Sequence, residues 1–199
     1  MQLLIATTNP GKVTEIREVI GHLEIQILGL HDLGITTDVE ETGQTYFDNA
    51  KIKAEFFFKE AGSNIPTIAE DSGIVVDALK DQLGVQTRRW GAGAKASDQE
   101  WIDYFLQVMA NHPEQRQARF ISHLYFTDGT QSHDFCGETE GVITETLEAD
   151  IQPGIPISAC FKPLGSNKVY SAMTKTEKNQ ISHRGKATHA FKDFLETIL

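Results

Sequence analysis

Glu70, Asp71 and Ser72 stand between two runs rich in β-branched residues, Thr67–Ala69 and Ile74–Val76, in a chain of 199 residues. Each run reads as a buried strand. Two adjacent carboxylates at a strand end are costly unless positive charge compensates them. A divalent cation would do that, because hard cations take oxygen ligands. A plain turn is the other reading, since Asp-Ser-Gly suits one.

Three further stretches carry chemistry. Thr7-Thr-Asn-Pro-Gly-Lys12 follows the apolar run Gln2–Ala6 and precedes Val13, Ile16, Val19 and Ile20 at helical spacing. The order is strand, polar loop, helix. The loop brings hydroxyls, an amide and Lys12 to a helix N-terminus, where free N–H groups favour anions. It lacks the spacing of a P-loop, and a turn on Asn-Pro-Gly is the simpler alternative. Near the C-terminus, Ser182-His-Arg-Gly-Lys-Ala187 opens another helix. His183, Arg184 and Lys186 crowd its first turn, where the helix dipole disfavours cations. A bound anion would reconcile the two; an exposed basic turn is the alternative. Lys53 lies four residues after Asn49 on one helix edge, and a solvated lysine is the commonest fate of that residue type.

The elements that must position these groups are legible in outline. Glu24–Leu28 reads as a second strand. Glu40-Glu-Thr-Gly43 is a polar loop, and Thr45 with Asp48 has capping-box spacing before the stripe Phe47, Ala50, Ala54, Phe57 and Ala61. Gly84–Ala96 reads as a loop. Ser97 with Glu100, and Thr174 with Glu177, repeat the capping-box spacing. Arg119–Thr127 reads as a long strand, Asp128-Gly129 as a hairpin turn, and Gln131–Cys136 as the returning strand. Gly141–Thr144 reads as one more short strand, and Gln152–Pro163 as irregular. Ala187, Ala190, Phe191, Phe194, Leu195 and Ile198 define the last amphipathic helix.

Composition narrows the function classes. The net charge of −10 argues against a nucleic-acid backbone or a membrane surface as partner. No apolar run approaches a membrane span, and no secretory leader is visible. The two cysteines form no metal or disulfide pattern. A cytoplasmic protein of one domain, residues 1–199, is the expectation. The histidines show no zinc spacing.

Taken in order, Thr7–Lys12, Glu40–Gly43, Phe47-Asp-Asn-Ala50 with Lys53-Ala54, Ala69–Gly73, and Glu177-Lys178 running into Ser182-His-Arg184 resemble the inosine triphosphate pyrophosphatase family. The resemblance runs from about Leu3 to Phe191. It implies an α/β fold with a long central mixed sheet, flanking helices, and two lobes around a substrate cleft. It implies a homodimer that uses Mg²⁺ to hydrolyse a nucleoside triphosphate, such as ITP, dITP or XTP, to the monophosphate and pyrophosphate. Asp71 would take the catalytic position. Glu40 and Asp71 would hold the metal. Thr7, Thr8, Asn9, Lys12, Lys53, Ser72, Lys178, His183 and Arg184 would line the substrate. One stretch departs from the pattern. The family usually carries Phe-Gly-Tyr-Asp-Pro at the nucleoside, whereas Pro153-Gly-Ile-Pro-Ile-Ser-Ala-Cys-Phe161 stands here. The aligned Tyr and Asp are absent, which implies either a looser purine preference or a shift to a different base with Ile155, Ile157 or Phe161 as apolar walls. Another or modified nucleotide is an alternative substrate, and a non-catalytic nucleotide-binding protein an alternative class.

Overall fold

The computed structural model describes residues 1–80, 82–93 and 95–199. The expected α/β class is found. Six strands form a mixed sheet: β1 (Gln2–Ile5), β2 (Gln26–Gly29), β3 (Thr67–Val76), β4 (Gln117–Thr127), β5 (Ser132–Ile143) and β6 (Phe161–Pro163). Their order is β2-β1-β3-β4-β5-β6. β1 pairs parallel with both β2 and β3, and β5 pairs antiparallel with β6. The described α-helices are α1 (Pro10–Ile20), α2 (Tyr46–Glu60), α3 (Asp98–Met109), α4 (Lys175–Ile181) and α5 (His183–Ile198). The loop expected at Gly84–Ala96 includes a 3₁₀ helix at Gly84–Arg89; Ala94 lies outside the described residues.

The chain divides into two compact units. The first comprises Met1–Ser72, Ile121–Gly137 and Asn179–Leu199. Strand alternation organises its core. Leu3, Ile5 and Ile68 face one way and pack with Ile16 and Ile20 of α1 and Phe191 and Leu195 of α5. Leu4, Ala6 and Ala69 face the other way and pack with Ala50, Ala54 and Phe57 of α2. Helices on both faces suit parallel strands that carry buried apolar residues on both sides, as Leu3, Leu4 and Ile5 do. The second unit comprises Gly73–Phe120 and Glu138–Lys178. Aromatic contacts fill it: Trp101 stacks on Phe105 at 5.3 Å, and Phe161 lies 4.8 Å from Phe120 and 4.9 Å from Tyr170.

Three sequence expectations change. The two short strands around Glu70–Ser72 are one continuous strand, β3, so there is no turn at the carboxylates. Their charges are compensated by side chains, described below, which removes the reason to leave the sheet. The separate strand at Gly141–Thr144 is the end of β5. Finally, Gln152–Pro163 is not wholly irregular: it contains a 3₁₀ helix at Pro156–Ala159 and then β6. Three prolines masked both.

Gly137 of β5 sets how closely the first turn of α5 approaches the sheet. A Cβ there would run into the carbonyl oxygen of His183 and come within 2.8 Å of the Ala187 nitrogen. Backbone cannot yield as a flexible side chain can. Gly137→Ala should therefore cost about 1–3 kcal/mol, the usual range for overpacking, read as a lower urea midpoint. An unchanged midpoint would mean that α5 is free to shift.

Candidate active site

All the groups that converge lie in the first unit, and β3 presents two of them back to back. Glu70 has the parity of Ile68 and faces α1 and α5; Asp71 has the parity of Ala69 and faces α2. The two carboxylates therefore meet different partners.

Glu70 is 2% exposed. Its Oε2 lies 2.6 Å from Lys12 Nζ. Its Oε1 accepts from Ser122 Oγ at 2.7 Å and from Arg184 Nε at 3.2 Å. Arg184 also pairs with Glu15 and donates from Nη2 to Ser72 Oγ at 3.2 Å. Burial alone would push the Glu70 carboxyl up, but Arg184 and Lys12 outweigh it and hold it well below the carboxylate range. Burial likewise opposes the charge on Arg184, yet Glu70 and Glu15 raise its pKa above the usual value. Both groups are firmly ionised.

Asp71 is held differently. Its Oδ1 accepts from Lys53 Nζ at 3.0 Å and its Oδ2 from Asn49 Nδ2 at 3.2 Å. Lys53 also donates to Glu41 Oε1 at 2.7 Å. Burial raises the Asp71 pKa, and Lys53 and Lys12 offset only part of that. For Lys53, burial acts against the charge, but Asp71 and Glu41 prevail and its pKa is raised. Neighbouring carboxylates are thus driven apart: Glu70 holds its charge, while Asp71 is the better proton acceptor. Divergent carboxyl pairs of this kind separate structural from acid–base roles.

Local sequence explains the placement. Asn9 caps α1, accepting from Gly11 N at 2.9 Å and Lys12 N at 3.3 Å, and its own N–H donates to Thr7 Oγ1 at 3.2 Å. That cap turns Lys12 toward β3. Thr8 is exposed. Thr45 and Asp48 form the expected capping box of α2, which sets Asn49 and Lys53 one turn apart. Ser182 caps α5 by accepting from Gly185 N at 3.0 Å. His183 and Arg184 follow it, each 5% exposed. Ser72 joins the cluster through Arg184. Glu40 is exposed, and it is Glu41 beside it that Lys53 engages. Lys178 belongs to the second unit, where its ammonium lies over the Tyr170 ring, 5.9 Å from the centroid. Among the described residues no three His, Cys, Asp or Glu side chains are gathered as a metal-holding group.

Arg184 finds anions within the chain as well. The crowding of cations in the first turn of α5 suggested an anion bound from solution. For Arg184, the anions are Glu15 and Glu70 of the chain itself. Sequence reading also passed over Glu15 and Ser122. Ser122 did leave a signal: it shares the parity of Phe120, Leu124 and Phe126, which are buried, so a polar group there needs a partner. Glu15 left none, because an acidic residue on an amphipathic helix normally faces water.

Comparison with known proteins places these residues in a family. The sequence model of the Ham1 family matches residues 3–194. The chain is 34% identical over 194 residues to a dITP/XTP pyrophosphatase of Porphyromonas gingivalis, covering 98% of this chain and 97% of that protein. It is 34% identical over 197 residues to a dITP/XTP pyrophosphatase of Bacillus subtilis, with 98% and 97% covered. The structure of the Staphylococcus aureus Ham1 protein superposes with a TM-score of 0.85 at 29% identity, and each chain is covered completely, 100%.

The ion pairs of Arg184 make a testable demand. Arg184→Ala would leave Glu70 buried with Lys12 as its one close cation, beside the Ser122 hydroxyl, and would leave Glu15 without its Arg184 partner. Breaking such a pair costs about 3–5 kcal/mol, far more than the roughly 0.3–1 kcal/mol that relief of the dipole mismatch returns. Urea unfolding of the ligand-free variant should show a loss in the first range, partly recovered by adding Glu70→Gln. A loss under about 1 kcal/mol would contradict a buried-pair role.

Proposed function

We propose that this chain, which belongs to the Ham1 family, hydrolyses a nucleoside triphosphate to the monophosphate and pyrophosphate. Relatives called dITP/XTP pyrophosphatases point to a non-standard purine, such as ITP, dITP or XTP, as the base class. The observation that carries the reading is the pairing of Lys53 with Asp71, a buried carboxylate whose pKa is raised. A buried carboxylate that keeps an affinity for a proton suits a group that accepts one beside a phosphate.

Attack on a phosphoryl group needs positioning and charge neutralisation more than covalent catalysis. Lys12 and Lys53 both act electrostatically on Asp71, and ammonium groups are natural partners of phosphate oxygens. In the ligand-free protein each is neutralised by carboxylates; an arriving triphosphate competes for them. Asp71 accepts the proton of the attacking water. Thr7, Thr8, Asn9 and Ser72 add hydroxyl and amide groups at the phosphate side, with His183 and Arg184 beyond them. Lys178 is a further cation of this proposed substrate set.

The donor set also suits Mg²⁺. Asp71 and Glu40 offer only oxygens, as a hard cation prefers. Burial of Asp71 is not fully offset by the lysines, so its carboxylate favours an additional positive charge. When bound, the ion would lower the pKa of a water and neutralise phosphate charge. Residues 1–199 act as one catalytic domain in this proposal, as a cytoplasmic homodimer that binds neither nucleic acid nor membrane. Its acidic charge supports the last point. Among the described residues no helix is long and apolar enough to cross a membrane.

The nucleoside side departs from the family pattern, and the structure limits what can replace it. Ile157 is 3% exposed and Phe161 fully buried at 0%, so both serve the core of the second unit. Of the three candidate walls, Ile155 remains partly exposed.

Phosphorus NMR of the reaction with Mg²⁺ and dITP should show monophosphate and pyrophosphate in equal amounts. Asp71→Asn should remain folded and lose at least ~10²-fold in kcat, the low end for general acid–base catalysis. Orthophosphate as the first product, or near-full turnover by Asp71→Asn, would defeat the proposal.

Base preference is tested by kcat/KM for dITP, XTP, dATP, dGTP, dUTP and dCTP on one preparation. With the aligned Tyr and Asp replaced, we expect selectivity for dITP and XTP to stay below ~10³-fold, because apolar walls discriminate weakly. A larger ratio would mean that the replaced stretch does not set specificity.

A further inference from the structure

The hairpin of β4 and β5 carries a second group of reactive side chains, separate from the cluster on β3. Asp134 and Cys136 are two residues apart on β5 and so face the same side of the sheet. His123 of β4 reaches both. Its Nδ1 lies 2.9 Å from Asp134 Oδ2 and 3.1 Å from Oδ1. Its Nε2 lies 3.7 Å from Cys136 Sγ. A carboxylate can only accept, so Nδ1 carries the proton of the neutral imidazole. Nε2 then turns its lone pair toward the thiol. The ring is steadied by the edge of Phe47 from α2, with centroids 6.2 Å apart at 75°.

Carboxylate, imidazole and thiol in this order form the arrangement that activates a nucleophile: a base within reach of it, oriented by a third group. Accessibility agrees. The His123 and Asp134 side chains are 22% and 27% exposed, and Cys136 is exposed. The contrast is Cys160, buried in the second unit, whose thiol burial pushes up to about 12. That thiol is inert filling; Cys136 has both a base and access to solvent.

We propose that Cys136, with His123 as its base and Asp134 orienting the imidazole, is a thiol-exchange site that takes up small-molecule disulfides from solution. His123 Nε2 accepts the thiol proton. The Cys136 sulfur attacks one sulfur of the disulfide, a new S–S bond forms, and the old one breaks. The departing thiolate takes the proton back from His123. Cys136 is oxidised to a mixed disulfide, and half of the incoming disulfide is reduced to thiol, so no other reactant is required. Excess small thiol reverses the step. The chemistry suits an open sheet face: sulfur–sulfur exchange develops no oxyanion and needs no hole to stabilise one.

The test uses the full chain with both cysteines and oxidised glutathione as the probe. Intact-mass and peptide mass spectrometry should find one glutathione per chain, on Cys136. Its rate should exceed that of the same chain unfolded in urea, at equal pH, by at least about tenfold, a change that thiol activation supplies. In folded protein His123→Asn, which keeps a donor for Asp134, should slow modification about tenfold. Asp134→Asn should slow it as well, and Cys136→Ser should take up nothing. Melting curves show which variants stay folded, and the folded-against-unfolded comparison needs no variant. A folded rate no higher than the unfolded one overturns the proposal. So do modification at Cys160 instead, or folded His123→Asn and Asp134→Asn proteins that react like the unmodified sequence.

Discussion

A carboxylate that is 2% exposed has to be answered by the rest of the chain, and Glu70 is answered from three elements at once. α1 sends Lys12, β4 sends Ser122 and α5 sends Arg184. An unpaired charge at that depth would cost several kcal/mol. The apolar contacts of Ile16, Phe191 and Leu195 press the same helices onto the same face, but apolar packing is non-directional and tolerates sliding. Charged hydrogen bonds do not. Glu70 thereby fixes the register of α1 and α5 on β3, and with it the positions of Lys12, Ser72 and Arg184.

The strand then separates two tasks by a rotation of one residue. On one face the carboxylate is overcompensated by cations and stays ionised. On the other, burial outweighs Lys53 and Lys12, so Asp71 keeps an affinity for a proton or a further cation. A turn at this point, as Asp-Ser-Gly suggests, would have loosened that alternation. The unbroken strand keeps the two carboxylates facing opposite ways.

Much of this was legible in the sequence because it depends on local rules. Thr45 with Asp48, Ser97 with Glu100, and Ser182 mark helix starts through contacts within four residues, and the structure has helices at each. Lys12, Lys53 and Asp71 could be singled out as charges beside helix starts or within apolar runs. The choice of partner was not legible. Glu15 and Arg184 lie 169 residues apart, and Ser122 and Glu70 lie 52 apart. Which acid meets which base depends on the sheet order, and periodicity within one element carries no information about that. The partners of Arg184 in α5 were hidden for the same reason. A cation at the wrong helix end signals that an anion is near, without saying whether it belongs to a ligand or to another helix.

Residues 153–161, proposed to lie at the nucleoside, show how packing and recognition would compete for the same residues. A residue that reads a base must leave a polar edge or a ring face open to it. In Pro156–Ala159 and Phe161 the chain instead has side chains that close the second unit: Ile157, Ser158, Ala159 and Phe161 are all at or below 3% exposure. Phe161 completes an aromatic group with Phe120 and Tyr170, and Tyr170 in turn lies beneath the Lys178 ammonium. A desolvated cation–π contact contributes about 2 kcal/mol, enough to hold a lysine that would otherwise sample solvent. Lys178, 7% exposed, is thus held against the core of the second unit. Under the proposed nucleotide reading fewer directional groups are left to read a base, and fewer directional groups discriminate less steeply.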